Sequence, residues 1–243
     1  MDADAELAAA VEPLLAGSGT AAVSVAVLDS GSGTRAVYGG ADATYDTASI
    51  VKVDILAALL LRAQDEGRDL TAGEHARAVA MIERSDNDSA TALLAAVGGA
   101  AGLDAANERL GLTATTAAQA WGLTRTTAAD QLTLLEAVFG TDTDGELSEG
   151  SRTWLRELMA RVEAGQRWGV SAAGSDWALK NGWMPRTATG LWNINSIGRV
   201  TAGGRTCLVA VLSAGQRTKE SGIALVESVA KAAVGVVRAD AAG

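Results

Sequence analysis

The stretch Ser49-Ile50-Val51-Lys52-Val53-Asp54-Ile55-Leu56-Ala57-Ala58-Leu59-Leu60-Leu61-Arg62 is apolar on nearly every side. A helix without a polar face is a buried helix, so the rest of the chain must pack around this one. Serine and lysine at i and i+3 share one face of it. Tyr45-Asp46-Thr47 offers polar cap residues just ahead. Ser49 is then expected in the first turn, where free backbone N–H groups and the positive dipole end favour an oxyanion. A capping serine beside a snorkelling lysine is the plainer reading. It leaves unexplained why Lys52 stands among Val51, Val53 and Ile55. A lysine whose pKa is lowered by burial or a nearby cation can act as a base, which a serine hydroxyl needs to become a nucleophile near neutral pH.

Two further motifs follow in order. Ser85-Asp86-Asn87 lies in a helical region, and Lys180-Asn181-Gly182 comes just before a strand-rich stretch. Lysine is scarce, with only Lys52, Lys180, Lys219 and Lys231 among 20 basic residues. Two of the four fall at motif positions. A second Ser-x-x-Lys, Ser228 to Lys231, sits in the last amphipathic helix with no partner motif after it, and reads as structure. The ordered trio, rather than any single motif, carries the argument.

The coarse order along the chain is a helix at about 4–16, strands at 22–29 and 34–39, a helical block over 49–165, strands at 176–181, 190–201 and 206–213, and a helix at 217–237. This predicts an α+β fold of two lobes. Residues 1–45 and 175–243 form one lobe, a five-stranded antiparallel sheet flanked by the terminal helices. Residues 46–174 form an all-helical lobe carrying Ser49 and Ser85. The three motifs can meet only between the lobes.

Composition narrows the function classes. At 243 residues the chain is long enough to bury a full core. Its net charge of −9 argues against nucleic acid or anionic lipid as partner, because both need a basic surface. No apolar run approaches the ~18 residues of a membrane span. Cys207 is alone in an apolar run, so no internal disulfide forms. His75 is the only histidine, which excludes a multi-histidine metal site; it is expected to face solvent. No metal and no cofactor is expected. Gly31-Ser32-Gly33-Thr34-Arg35-Ala36 fits a dinucleotide-binding pattern, but Arg35-Ala36-Val37-Tyr38 after it is strand-like, so it reads as a hairpin turn.

The trio resembles the serine β-lactamase and penicillin-binding-protein superfamily, whose motifs are S-x-x-K, S-D-N and K-[TS]-G. The class A branch is the most similar. Ala78 to Asn87, then Ser89 to Leu94 and Gly98-Gly99, resemble that branch's central helix, and Leu123-Thr124-Arg125-Thr126-Thr127 resembles the start of the helix after its omega loop. The resemblance implies that Ser49 attacks a carbonyl with help from Lys52, and that Ser85 relays a proton to the leaving group. It also implies that Asn87 grips the acyl-side amide and that Lys180 supplies positive charge near Ser85 and a substrate carboxylate. The backbone N–H groups of Ser49 and Trp183, the latter directly after Gly182, would form the oxyanion hole.

Three departures from the family pattern matter. Between Glu108 and Asp130 there is no carboxylate, whereas class A enzymes use an omega-loop glutamate to activate the deacylating water. Positioned general bases typically contribute ~10²–10⁴-fold, so efficient antibiotic hydrolysis is not expected. Asn181 replaces a hydroxyl residue, and Trp183 adds a large indole that, with Trp121 and Trp192, is expected to form an apolar wall for an acyl group. The Ser49-to-Ser85 spacing is short for the family, which suggests a more open cleft.

The expected function is a serine-dependent acyl transferase or hydrolase acting on an amide, ester or lactam of a small-molecule or peptide-like substrate. Its alternatives are a β-lactamase with a non-standard deacylation and a penicillin-binding sensor without turnover. Catalytic Ser49, Lys52, Ser85 and Lys180, and substrate-binding Asn87, Asn181, Gly182, Trp183 and Trp121, are its site residues; a monomer is expected. Met1 to Glu6 lacks the basic start and apolar core of a signal peptide. An exported protein with its signal removed is favoured over a cytoplasmic one.

Overall fold

The computed structural model describes residues 2–239 except 18, 20, 41, 142 and 143. Helix α1 (Ala3–Leu15) begins where the Asp2 side chain accepts the Asp4 N–H. Strands β1 (Ala22–Asp29) and β2 (Arg35–Tyr38) form the hairpin expected at Gly31-Ser32-Gly33. A short strand β3 (Tyr45–Asp46) leads into a 3₁₀ turn at Ala48–Ile50 and then α2 (Val51–Asp65). Helices α3 (Ala72–Glu83), α4 (Asn87–Ala96) and α5 (Gly99–Arg109) follow. A short strand β4 (Arg125–Thr126), α6 (Ala128–Phe139) and α7 (Glu149–Ala160) complete the helical part. The chain returns through β5 (Ser175–Pro185), β6 (Trp192–Ala202), β7 (Arg205–Gln216) and α8 (Lys219–Ala239).

Local chemistry fixes the helix starts. Thr71 and Glu74 form a capping box on α3, each side chain serving the other's backbone N–H. Asp86, Thr127 and Ser148 accept the N3 N–H of α4, α6 and α7. Asp86 of the Ser-Asp-Asn motif is therefore a helix cap.

The large sheet is antiparallel with order β2-β1-β7-β6-β5, so β5, which carries Lys180-Asn181-Gly182, lies at an edge. Strand β7 is buried almost throughout because both faces of the sheet are covered. One hydrophobic cluster joins α2, α6 and the inner sheet face; the other joins the outer face to α1 and α8. This is the two-lobed α+β architecture expected, with its five-stranded antiparallel sheet. Trp168 and Val170, which follow α7, pack in the second cluster with α8.

Two details differ from the expectation. Ser49 lies in the 3₁₀ turn rather than in the first turn of the α-helix, which starts at Val51. The expected cap residues serve elsewhere. Thr47 makes no capping bond; its N–H donates to Thr124 O and its hydroxyl to Trp121 O. Asp46 is nearly buried between Arg125 and Arg186, at 3.2 and 2.6 Å, and accepts a bond from Asn193. The β3–β4 ribbon, too short to show as a pattern, takes these residues for tertiary contacts.

Candidate active site

Three elements converge on one hydroxyl. Lys52 extends from α2, Ser85 sits in the turn between α3 and α4, and Lys180 reaches from β5. Lys52 Nζ lies 3.1 Å from Ser49 Oγ and 3.0 Å from Ser85 Oγ. It also donates to Ser85 O at 2.7 Å and to Asn87 Oδ1 at 2.8 Å. Lys180 Nζ lies 3.0 Å from the same Ser85 Oγ and donates to Asn181 O. Both lysines are fully buried side chains, and Ser49 is half-buried.

Neither lysine has a carboxylate partner within 4.0 Å among the described residues, so burial dominates their acidity. It lowers Lys52 to about 8, with distant Asp86 opposing. It lowers Lys180 well below the usual lysine range, helped by repulsion from Lys52 and opposed by Glu163. Near pH 8 a sizeable fraction of Lys52 is therefore neutral. A neutral amine has two N–H donors and one lone pair. Ser85 O and Asn87 Oδ1 can only accept, so they take the two donors. The lone pair then remains for the hydroxyl of Ser49 or Ser85, which is the arrangement a general base needs.

The backbone around these hydroxyls is held in a costly shape. Ala48 (φ 47°) and Ser85 (φ 57°) are non-glycine residues in the left-handed region, where each costs of order 1–3 kcal/mol unless its surroundings enforce it. The surroundings do so at Ala48. Asn195 donates to the carbonyls of Asp46 and Thr47, and Thr47 is bonded to Thr124 and Trp121. Gly182 completes the floor. A Cβ there would stand 2.8 Å from Ser49 N and 2.7 Å from Thr47 O, so only glycine lets edge strand β5 approach the backbone at Ser49 this closely.

A cavity of about 430 Å³ opens beside Ser49, lined among others by Asn87, Thr91, Trp121, Leu123, Trp183 and Met184. Trp121 is placed where no sequence pattern required it. Its ring centroid is 4.7 Å from Lys52 Nζ, and its indole N–H donates to Thr91 Oγ1. Trp183 lines the same cavity while its ring packs edge-on against Trp168 and beneath Lys219. Trp192 packs in the outer cluster and is not among the lining residues. Asn181 is buried and donates to the carbonyls of Gln166 and Trp168, so its amide donors are engaged inside the protein.

The segment before β4 is stapled by carboxylates from flanking helices. Asp104 accepts the Ala117 N–H, and Asp130 accepts the Ala114 N–H and the Thr115 hydroxyl. Glu108 is exposed. His75 is exposed and stacks on Trp154. Ser228 of the second Ser-x-x-Lys bonds back to Ala224 O within α8. Among the described residues no group of acidic, histidine or cysteine side chains is arranged to hold a metal. Asp46 and its two arginines were missed from sequence; no local pattern marks a contact made across the chain.

The fold and this site define a serine hydrolase of the acyl-transfer type. Residues 77–237, well over half the chain, match a family model described as the beta-lactamase enzyme family. The chain belongs to that family, and it is an enzyme of the serine β-lactamase and penicillin-binding-protein superfamily acting on small-molecule substrates. The matched span contains Ser85-Asp86-Asn87 and Lys180-Asn181-Gly182 but begins after Ser49 and Lys52, which rest on the geometry above. Among solved structures it is similar to a class A β-lactamase from Bacteroides cellulosilyticus, with TM-score 0.82 and 19% identity over 99% of this chain and 100% of that one. It is also similar to a β-lactamase from Xanthomonas campestris pv. campestris, with TM-score 0.77 and 22% identity over 97% and 99%. PBP-A superposes with TM-score 0.80 at 21% identity, over 98% and 96%. At these identities the likeness speaks for the fold. Among curated proteins none matches the chain. No single helix among the described residues is long and apolar enough to cross a membrane.

Proposed function

We propose that Ser49 is the nucleophile, that Lys52 takes its proton, and that the product is an acyl-enzyme on Ser49 Oγ. The observation that carries this reading is Lys52 Nζ, within 3.1 Å of Ser49 Oγ and 3.0 Å of Ser85 Oγ, with its pKa lowered to about 8. Ser85, between two amines, returns the proton to the leaving group. Lys180 polarises Ser85 from the far side. Asn87, with its Oδ1 on Lys52, keeps its amide N–H groups for an acyl-side carbonyl. The N–H groups of Ser49 and Trp183 hold the developing oxyanion beside Gly182. Residues 46–174 and the sheet-bearing remainder act as the two jaws of the cleft, and the chain works as a monomer.

Intact-protein mass spectrometry after exposure to a penicillin or an activated ester tests this. The wild type gains the acyl mass and Ser49→Ala stays unmodified. Equal labelling of the variant would remove the reading.

The fate of the acyl-enzyme is a second question. No carboxylate stands in residues 111–123, and the indole of Trp121 occupies the space over Lys52. Water arriving there finds no base of its own. Resolution by an alcohol, amine or thiol acceptor is therefore favoured over rapid hydrolysis, and β-lactam adducts persist. Rapid, burst-free penicillin hydrolysis, with kcat of roughly 10²–10³ s⁻¹, would contradict this.

A further inference from the structure

We propose that the cavity beside Ser49 is a subsite for a neutral, apolar acyl chain, held against Trp121, Leu123 and Met184. This rests on the acyl-enzyme reading and specifies its donor: an ester, thioester or amide of an unbranched aliphatic acid, longer than acetyl and without a terminal charge.

Three observations lead there. The first is charge. One residue in five of this chain is charged, yet none of the residues lining the cavity is. Arg125 of β4 and Arg186, just past the end of β5, are both paired with Asp46, leaving neither arginine free to meet an anionic tail; Lys219 lies over the Trp183 ring and is not among the lining residues.

The second is exposure. Leu123 is 41% exposed, the one exposed large hydrophobic side chain among the described residues. It belongs to the 3₁₀ turn Trp121–Leu123, none of whose residues is buried. Packing of the fold accounts for Trp121, which is partly buried against the core, but not for a leucine left at the surface next to it, beside the proposed nucleophile. A ligand that covers Leu123 does.

The third is the surface that Trp121 and Met184 present. The Trp121 N–H is engaged by Thr91, so the indole presents only carbon to the cavity. Met184 adds a thioether, which adapts to chains of different shape. Its sulfur would lie 4.0 Å from a Cβ on Gly122, in the same lining. The volume of about 430 Å³ lies within the ~300–1,000 Å³ typical of small-ligand sites. The chemistry balances without a further reagent. Ser49 Oγ bonds to the acyl carbon, the bond to the leaving group breaks, and the serine proton passes by Lys52 and Ser85 to that group.

The test uses the full chain and p-nitrophenyl acetate, butyrate, hexanoate and octanoate, with the acylation rate constant read from the burst. Each methylene that becomes buried is expected to raise it about two- to fourfold, since full burial of a CH₂ is worth roughly a factor of four. Glutaryl, an anionic acyl group of similar length, is expected to acylate at least tenfold more slowly than hexanoyl. Leu123→Asp should lower the octanoate rate at least tenfold more than the acetate rate, with an unchanged circular dichroism spectrum. A flat or falling chain-length series with Ser49 labelled would overturn the subsite and leave the acyl-enzyme intact. Should no ester label Ser49, calorimetry of Ser49→Ala with N-acetyl- and N-octanoylglycinamide decides the subsite separately. Tighter binding of the octanoyl compound by thirtyfold or more supports it, and equal binding overturns it.

Discussion

Ser49 has two unlike sides. Toward α3, α4 and β5 it meets a dense polar relay, in which one serine hydroxyl is shared by two buried amines at 3.0 Å each. Toward residues 111–124 it meets an indole, an exposed leucine and no carboxylate. On the proposed reading, the first side forms the acyl-enzyme, and the second receives its acyl chain and leaves water unactivated. Formation and release of an acyl-enzyme are separate steps with separate bases, so a fold can keep one and lack the other.

Removing Lys52 should break the equipped side outright. Lys52→Ala is expected to slow acylation of Ser49 by about 10²–10⁴-fold, the usual worth of a general base. Lys52→Arg should not restore it, because guanidinium stays charged and cannot accept the proton. In the wild type the acylation rate should rise tenfold per pH unit up to about pH 8 and then level, following the neutral amine of Lys52. A profile flat from pH 6 to 9 would show that Lys52 acts by charge alone.

Trp121→Ala sharpens the other side. Opening Lys52 to solvent relieves the burial that lowers its pKa, so the acylation profile should shift to higher pH. Hydrolysis of the adduct should quicken by about tenfold, roughly the effect of ~1.4 kcal/mol on a barrier. Stopped-flow decay of the acyl-enzyme measures both. An unchanged lifetime would mean that Trp121 does not restrict water.

Asp46→Asn probes the frame that both sides share. Asp46 ties Arg125 of β4 and Arg186 beyond β5 to the strand before the strained Ala48. Both arginines are well exposed, so a loss of about 1–2 kcal/mol of stability is expected. Acylation should slow with little change in its pH midpoint, because the nucleophile moves while its base does not change. Denaturant unfolding and the burst rate report the two effects.

The smallest effect on acylation is expected within α2 itself, where the change falls on stability instead. Two residues after Lys52, Asp54 is fully buried with neither carboxyl oxygen hydrogen-bonded. Burial pushes it up to about 8, with the neighbouring Gln131 amide offsetting part and Asp130 adding to the rise. The folded protein then holds a proton that the unfolded chain releases near pH 4. Stability from this group is therefore lost as pH rises from about 4 to 8, by up to about 1.4 kcal/mol per pH unit. Asp54→Asn should flatten that slope and raise Tm at pH 8 more than at pH 5. Equal changes at both values would show Asp54 already ionised.

The contrast between Lys52 and Asp54 also shows how far a sequence can be read. Both interrupt an apolar helix at visible positions. The serine three residues before it and the ordered motifs after it marked Lys52 as chemical, and nothing marked Asp54. The helix starts at Asp86, Thr127 and Ser148 rest on caps that act over three residues, yet from sequence 49–165 reads as one helical block in which they are not marked. The β3–β4 ribbon was not legible either, since two residues per strand carry no period.

By itself the sequence determined a buried α2, a strand leading into Lys180-Asn181-Gly182, an acidic balance and a segment without carboxylates. These follow from the identity and spacing of neighbouring residues. Only the tertiary structure decided that Ser49 sits in a 3₁₀ turn behind a strained Ala48, that Asn181 is engaged inside, and that Trp121 covers Lys52. Each depends on groups far apart in the chain meeting at van der Waals or hydrogen-bond distance, and such contacts leave no local pattern to read.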